Sequence, residues 1–111
     1  MIRYSLRSFL LLFLLVSSSS AAVYKGQKVF VRKCLECHDK GQAFVALKTQ
    51  DEWEEFMVNN GAPLKVLHLE DDNAVNSWKY FKSEKYTKTT KHLKDFLVEY
   101  ASDSGNIPAC N

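Results

Sequence analysis

Apolar residues recur at helical spacing in four stretches of the chain. The clearest stripe lies near the C-terminus and has i, i+3, i+4, i+7, i+8 spacing, which predicts an amphipathic helix. Its members are Leu93, Phe96, Leu97, Tyr100 and Ala101. No stretch shows the alternation of apolar and polar residues that is typical of a strand. The pattern therefore predicts an all-α fold of about four helices joined by short loops.

Boundary residues locate the first two helices. The first is expected from Tyr24 to about Cys34, because apolar residues recur along one face there. Thr49 followed by Glu52 three residues later is a capping-box pattern and predicts the start of the second. We expect that helix to run through Asn59 and to stop at Asn60-Gly61, residues that favour a helix C-terminus.

The middle of the chain is predicted to contain a connection and a third helix. Pro63 disfavours helix in the residue before it, so we expect an extended connection over residues 64–68. Asp71 or Asp72 can cap a third helix, whose apolar stripe consists of Ala74, Val75, Trp78 and Phe81. The polar stretch Ser83 to Thr90 is expected to break that helix before the last one begins.

The N-terminus has the residue order of a secretory signal peptide. Two arginines precede the apolar run Phe9 to Val16, which is followed by serines and the small pair Ala21-Ala22. The run is too short to cross a bilayer of about 30 Å. We therefore expect a signal peptide over 1–22 and an exported, periplasmic domain over 23–111 with no membrane span, and an uncleaved anchor is the alternative.

Removal of the signal changes the charge of the protein. The chain has 15 basic and 13 acidic residues, and the signal segment contains two of the basic residues and none of the acidic ones. The mature domain is thus formally neutral, which argues against nucleic acid as a partner. An oxidising compartment permits disulfides, but the chain has three cysteines, so at least one has another role.

The pentapeptide Cys34-Leu35-Glu36-Cys37-His38 is the C-x-x-C-H arrangement of a c-type haem attachment site. Two thiols three positions apart at a helix end can each form a thioether to one edge of a porphyrin. The histidine that follows can then present its imidazole to the iron. The motif predicts one covalently bound haem c, with Cys34 and Cys37 as thioether residues and His38 as the proximal iron ligand.

Three haem-free interpretations compete with this one. A structural zinc site needs four ligands, which Cys110 and the distant histidines would have to complete. A thioredoxin-like redox pair also uses C-x-x-C, but at the start of a helix in a βαβ unit. A plain disulfide between Cys34 and Cys37 is the third.

The mature chain resembles the class I c-type cytochromes over nearly its whole length. Gly26 and Phe30 ahead of the pentapeptide are similar to that family's N-terminal haem helix, and the stripe from Leu93 to Ala101 is similar to its C-terminal helix. The resemblance implies that these two helices cross tightly, with Gly26 making room for Phe96 or Tyr100. It also implies the thioether and proximal-ligand roles of Cys34, Cys37 and His38.

The resemblance leaves the sixth ligand of the iron open. The family usually has a methionine in the loop before the last helix, and residues 83–90 contain none. His68 is one candidate. Met57 is another, although a methionine in an apolar helical stripe is typically core, and His92 is expected to be a solvated side chain. The remaining possibilities are a weak ligand from Lys85, Lys88 or Tyr86, or an open position.

Two functional hypotheses follow. The first is a one-electron carrier between redox partner proteins, not an enzyme, or the cytochrome subunit of a periplasmic oxidoreductase such as a sulfite-oxidising enzyme. The second is a haem protein that binds or senses a small ligand at a weak or absent sixth position. Lysines at every third position from Lys79 to Lys94 could steer a redox partner or could be a solvated face.

Overall fold

The structure is a computed structural model that describes residues 20–107. Helices are its regular secondary structure, and no strand occurs in that range. The all-α prediction is confirmed for these residues. Helix α1 covers residues 20–33, α2 Gln50–Leu69, α3 Trp78–Phe81 and α4 Glu84–Glu99. Two 3-10 helices, Gly41–Leu47 and Asp72–Ser77, lie between them.

Helices α1 and α4 cross in close contact at Gly26. A β-carbon at this position would overlap the backbone carbonyl of His92 and lie 2.8 Å from the β-carbon of Phe96. One turn later the rings of Phe30 and Phe96 pack with their centres 5.4 Å apart. The tight crossing and the role of Gly26 against Phe96 are therefore confirmed. The main core surrounds this crossing and consists of Phe30, Val45, Trp53, Met57, Leu93, Phe96, Leu97 and Ala101.

Helix α2 begins as its sequence predicts. The hydroxyl of Thr49 accepts a hydrogen bond from the Glu52 backbone N–H at 3.2 Å. The Glu52 carboxylate in turn accepts one from the Thr49 N–H at 3.0 Å. This reciprocal pair is the predicted capping box, and it satisfies two N–H groups that have no partner within a helix.

A backbone break divides α2 into two helical segments. Asn59, Asn60 and Gly61 have positive φ, of 50°, 56° and 71°, and Val58 is extended with ψ 156°. The predicted stop is present, but the first segment ends at Met57 and not at the predicted Asn59. The helix resumes directly after Gly61. Pro63 lies in the first turn of this second segment, where its missing N–H costs nothing. The predicted extended connection over 64–68 is therefore wrong, and these residues are helical.

Helix α4 starts about two turns before the predicted position, so the expected break over Ser83 to Thr90 is wrong. Tyr86 and Thr90 are buried and continue the stripe of Leu93 and Leu97 toward the N-terminus. The hydroxyl of Thr90 donates to the carbonyl of Tyr86 four residues earlier. A threonine can be buried in a helix in this way, because its polar group is satisfied by the helix itself.

The segment from Asp71 to Phe81 forms a 3-10 helix followed by the single turn of α3, where one α-helix was expected. The predicted cap is present, since the Asp71 carboxylate accepts from the Asn73 N–H at 2.9 Å. Tyr80 and Phe81 then pack with Tyr86 as a second buried cluster. Within the described range, no helix combines the length and the apolar character that crossing a membrane requires.

Candidate functional site

The C-x-x-C-H pentapeptide lies at the C-terminal end of α1. The N–H of Cys34 donates to Phe30 at 2.8 Å, and the N–H of His38 donates to Cys34 at 3.1 Å, so one further turn continues past the helix. Cys34 is partly buried, Cys37 is exposed, and both thiols are free. The turn therefore presents two thiols and one imidazole from a single segment of five residues.

These three residues line an apolar cavity. The cavity has a volume of about 340 Å³, and the second segment of α2 and the end of α3 form its other side. Its apolar wall includes Phe44, Trp53, Phe56, Leu64, Leu67 and Phe81. A smaller inner extension, which Cys34, His38 and His68 also line, reaches the core side chains Leu93 and Leu97.

His68 faces the motif across this cavity. The ring centres of His38 and His68 are 6.3 Å apart, and the ring planes meet at 79°. In zinc sites a histidine nitrogen lies about 2.0–2.1 Å from the metal and about 1 Å from its ring centre, so two imidazoles on opposite sides of one ion have centres about 6 Å apart. The observed ring-centre separation is close to this value, and it also lies in the range of an edge-to-face contact between two rings.

Aromatic rings hold both imidazoles in place. His38 stacks on Phe44 with centres 4.0 Å apart, and His68 stacks on Phe81 with centres 4.3 Å apart, each pair being tilted by 26°. Stacking fixes a ring that would otherwise rotate about its side-chain bonds. Phe44 had no signal in the sequence, since it lies in a 3-10 helix where the apolar residues lack α-helical spacing.

A hydrogen bond determines which nitrogen of His68 is available. Nδ1 of His68 lies 2.8 Å from the carbonyl oxygen of Leu64, and because a carbonyl only accepts, Nδ1 carries the proton. The lone pair of the neutral ring is then on Nε2. Metal-binding histidines commonly have this arrangement, with the second nitrogen donating to a carbonyl. The indole of Trp78 also donates to the carbonyl of His68 at 2.7 Å, which anchors the end of α2.

The environment of His38 favours its neutral form. Partial burial lowers the pKa of this imidazole below 6.5, nearby His68 lowers the pKa further, and Asp39 opposes both effects. A metal ligand must be unprotonated. The depressed pKa therefore keeps His38 available as a ligand at neutral pH.

The thiol of Cys34 does not resemble that of a redox-active cysteine. Burial raises its pKa to about 12, and the neighbouring Cys37 adds to the increase. Redox-active and zinc-binding cysteines instead need an accessible thiolate with a lowered pKa. This argues against the thioredoxin-like interpretation.

Protein side chains alone provide no metal cluster in the described part of the chain. No three His, Cys, Asp or Glu side chains are grouped there as ligands of one ion. The cavity is lined by two imidazoles, two thiols at one edge and an apolar wall. This donor set fits a haem, whose porphyrin supplies the four equatorial nitrogens and whose vinyl groups react with thiols.

The other residues considered as sixth ligands lie elsewhere. Met57 is buried in the core and does not line the cavity. Tyr86 is buried with its hydroxyl hydrogen-bonded to Gly61. Lys88 is exposed, 3.9 Å from Glu84, and Lys85 lines a different cavity.

The description of His92 as a solvated side chain is wrong. The residue is in the middle of α4 and is partly buried. Its Nδ1 is shielded from water and has no hydrogen-bond partner among residues 20–107. It does not line the cavity.

Cys110 and the signal segment up to residue 19 lie outside the described residues, so the predictions for them stay predictions. The last three positions of the expected signal, residues 20–22, belong to α1.

The chain was also compared with known proteins. No protein-family model, no curated protein and no solved structure matches it.

Proposed function

We propose that this protein is a one-electron carrier with a single haem c. The observation that carries the proposal is the pair His38 and His68, which both line one apolar cavity with their ring centres 6.3 Å apart. In this proposal Cys34 and Cys37 would tether the haem covalently, and His38 and His68 would hold its iron. When bound, the haem supplies a ferrous–ferric couple.

The residues around the cavity have distinct roles in this proposal. Phe44 and Phe81 keep the imidazoles oriented, and the Leu64 carbonyl selects the tautomer of neutral His68 that has its lone pair on Nε2. The apolar wall excludes water, so fewer water molecules have to reorient when the charge of the iron changes. Two histidine ligands also lower the reduction potential relative to a histidine and methionine pair.

An iron that is held by two histidines suits electron transfer, because no coordination position is left for a substrate. We therefore propose a carrier that has redox proteins as partners and performs no bond chemistry of its own. The signal-like N-terminus supports export to the periplasm, where c-type cytochromes acquire their haem. A role as the cytochrome subunit of a larger oxidoreductase is compatible with the same site.

The first experiment tests for covalent haem. The full chain is produced in the periplasm with a cytochrome maturation system, and the pigment is extracted with acidified acetone. We expect the haem to stay with the polypeptide, and we expect the Cys34→Ser, Cys37→Ser double variant to release it or to lack it. A colourless wild-type protein would refute the proposal.

The second experiment identifies the sixth ligand by comparing His68→Ala with His92→Ala. His92 is a matched control, because it is also partly buried but does not line the cavity. We expect His68→Ala to convert a low-spin spectrum to high-spin and to allow rapid carbon monoxide binding in the reduced state. His92→Ala should retain the wild-type spectrum.

Electron paramagnetic resonance adds a signature that is specific to this pair. Ligand planes that are close to perpendicular leave two iron d orbitals nearly equal in energy, and the angle here is 79°. We expect a strongly anisotropic low-spin signal from the oxidised protein, in place of the rhombic signal of parallel planes. Rapid carbon monoxide binding to the wild-type protein would instead support the ligand-binding hypothesis.

A further inference from the structure

The break in α2 places an asparagine directly before a glycine. Asn60 is exposed and Gly61 is buried, and both residues have positive φ. Asparagine is a chemically labile residue. Because Gly61 has no side chain to shield its amide nitrogen, that nitrogen can reach the side-chain carbonyl of Asn60 whenever the backbone allows it. The pair is therefore a candidate for covalent rearrangement without an enzyme.

The rearrangement is deamidation, and it needs only the chain and water. The backbone nitrogen of Gly61 loses its proton and attacks Cγ of Asn60. The new N–Cγ bond closes a succinimide ring, the Cγ–Nδ2 bond breaks, and the side-chain nitrogen leaves as ammonia. Water then opens the ring at either carbonyl and gives aspartate, or isoaspartate with a main chain that is one carbon longer. No oxidant or reductant takes part.

The closed break holds Asn60 in a conformation from which the ring cannot form. Closure needs Cβ of Asn60 and N of Gly61 on the same side of the Cα–C bond, at a ψ of about −120°, because the substituents of a tetrahedral carbon are spaced about 120° apart. The ψ of Asn60 is 38°, so the two atoms lie on opposite sides. Deamidation therefore requires the break to open and Asn60 to rotate.

Contacts from α4 oppose that rotation. The hydroxyl of Tyr86 donates to the carbonyl of Gly61 at 2.6 Å. A β-carbon on Gly61 would lie 2.7 Å from the methyl group of Thr90, so the backbone of Gly61 is packed directly against α4. Rotation about ψ of Asn60 turns the whole planar peptide group between the two residues. It must therefore break the hydrogen bond, which is buried and which water cannot replace.

We propose that Asn60 is a site of spontaneous deamidation and that the closed break suppresses the reaction in the folded protein. The rate in the folded chain then follows the population of the open form. Isoaspartate at this position would lengthen the main chain at the start of the helical segment that carries His68. The reaction itself involves no haem, so the inference is independent of the proposed function.

The first test compares the folded chain with the unfolded one. The full chain is incubated at mildly alkaline pH with and without urea, and peptide mass spectrometry follows the conversion of amide to carboxylate. We expect Asn60 to react at least about ten times more slowly in the folded chain, because a local opening is sparsely populated. Equal rates in the two conditions would overturn the protection by the fold.

Asn106 is an internal control in the same samples. It is also exposed, but the residue after it is Ile107, whose branched side chain hinders attack by its own backbone nitrogen. We expect Asn106 to remain an amide while Asn60 reacts in urea. An Asn60 amide that lasts as long in urea as that of Asn106 would overturn the assignment of the site.

The second test removes the hydrogen bond to the break. We expect Asn60 to deamidate about ten times faster in folded Tyr86→Phe than in wild type, and at the wild-type rate in Tyr24→Phe, where the altered residue is 57% exposed. All three chains should react equally in urea. Circular dichroism checks that Tyr86→Phe is folded, and if it is not, the wild-type comparison decides. A folded Tyr86→Phe chain that reacts at the wild-type rate would overturn the role of this bond.

These tests separate the inference from the haem proposal. A colourless chain whose Asn60 is protected when folded and reactive in urea refutes the haem proposal and supports this one. A protein with covalent haem whose Asn60 stays an amide in urea does the reverse.

Discussion

Tyr86 donates its buried hydroxyl to the carbonyl oxygen of Gly61 at 2.6 Å and so ties α4 to the break in α2. The same hydroxyl occupies the space where a side chain at Gly61 would lie. Gly61 has a φ of 71°, a conformation that favours glycine. The bond holds the start of the segment that carries His68.

Removing that hydroxyl should destabilise the protein. Tyr86→Phe leaves the Gly61 carbonyl without this donor in a buried site, and we expect the free energy of unfolding to fall by about 1–3 kcal/mol. Urea unfolding measures the loss. Tyr24→Phe is the control, since Tyr24 is 57% exposed. An equal effect of the two substitutions would contradict a specific role for the bond.

The crossing of α1 and α4 should not tolerate any side chain at Gly26. Gly26→Ala brings a methyl group against the His92 carbonyl and Phe96, and overpacking of this kind costs about 1–3 kcal/mol. The higher helix propensity of alanine offsets about 1 kcal/mol of that cost. We expect a lower midpoint of thermal unfolding for Gly26→Ala and little change for Lys25→Ala, its exposed neighbour. A stabilised Gly26→Ala protein would mean that the helices are further apart.

The depressed pKa of His38 predicts a pH dependence for the haem-free chain. Below pH 6.5 the unfolded chain binds a proton at this residue, and the native protein binds it only at lower pH. Stability should therefore fall as pH decreases through the interval between 6.5 and the native pKa. Urea unfolding of the Cys34→Ser, Cys37→Ser variant at several pH values tests this. A further His38→Gln substitution should flatten that part of the profile, and an unchanged slope would contradict the assignment.

The two thiols of the motif should differ in reactivity. Burial raises the pKa of Cys34 to about 12, while Cys37 is exposed. Because the thiolate is the reactive form, iodoacetamide should modify Cys37 first in the folded haem-free chain. Peptide mass spectrometry resolves the sites, and denaturant should make the rates similar. Faster modification of Cys34 in the folded chain would contradict its burial.

The sequence predicted those features that depend on local signals. The capping box at Thr49, the stop at Gly61 and the apolar stripe of α4 each follow from residues close together in the chain, and the structure contains all three. The predictions that failed involve residue types that suit two kinds of local structure. Pro63 disfavours helix before it but favours the first turn of a new one.

Tertiary contacts explain the remaining differences between the prediction and the structure. Thr90 is polar in sequence, but its hydroxyl is satisfied within α4, so it can be buried. Phe44 belongs to the site because a 3-10 helix brings its ring against His38. The sequence identified His68 as a candidate ligand because an irregular connection after Pro63 was expected to carry it, whereas the residue lies on the second helical segment of α2. Its distance from His38 depends on the break in α2, which no local pattern could quantify.

The contact of Gly26 with His92 and Phe96 also has a consequence for when the protein can fold. These residues are about seventy positions apart in a chain of 111, so the contact order of the central crossing is high. During synthesis the apolar face of α1 has no permanent cover until α4 has emerged from the ribosome. The apolar face of α1 therefore stays exposed for longer than a face that is covered by neighbouring residues, and folding through such a distant contact is slow.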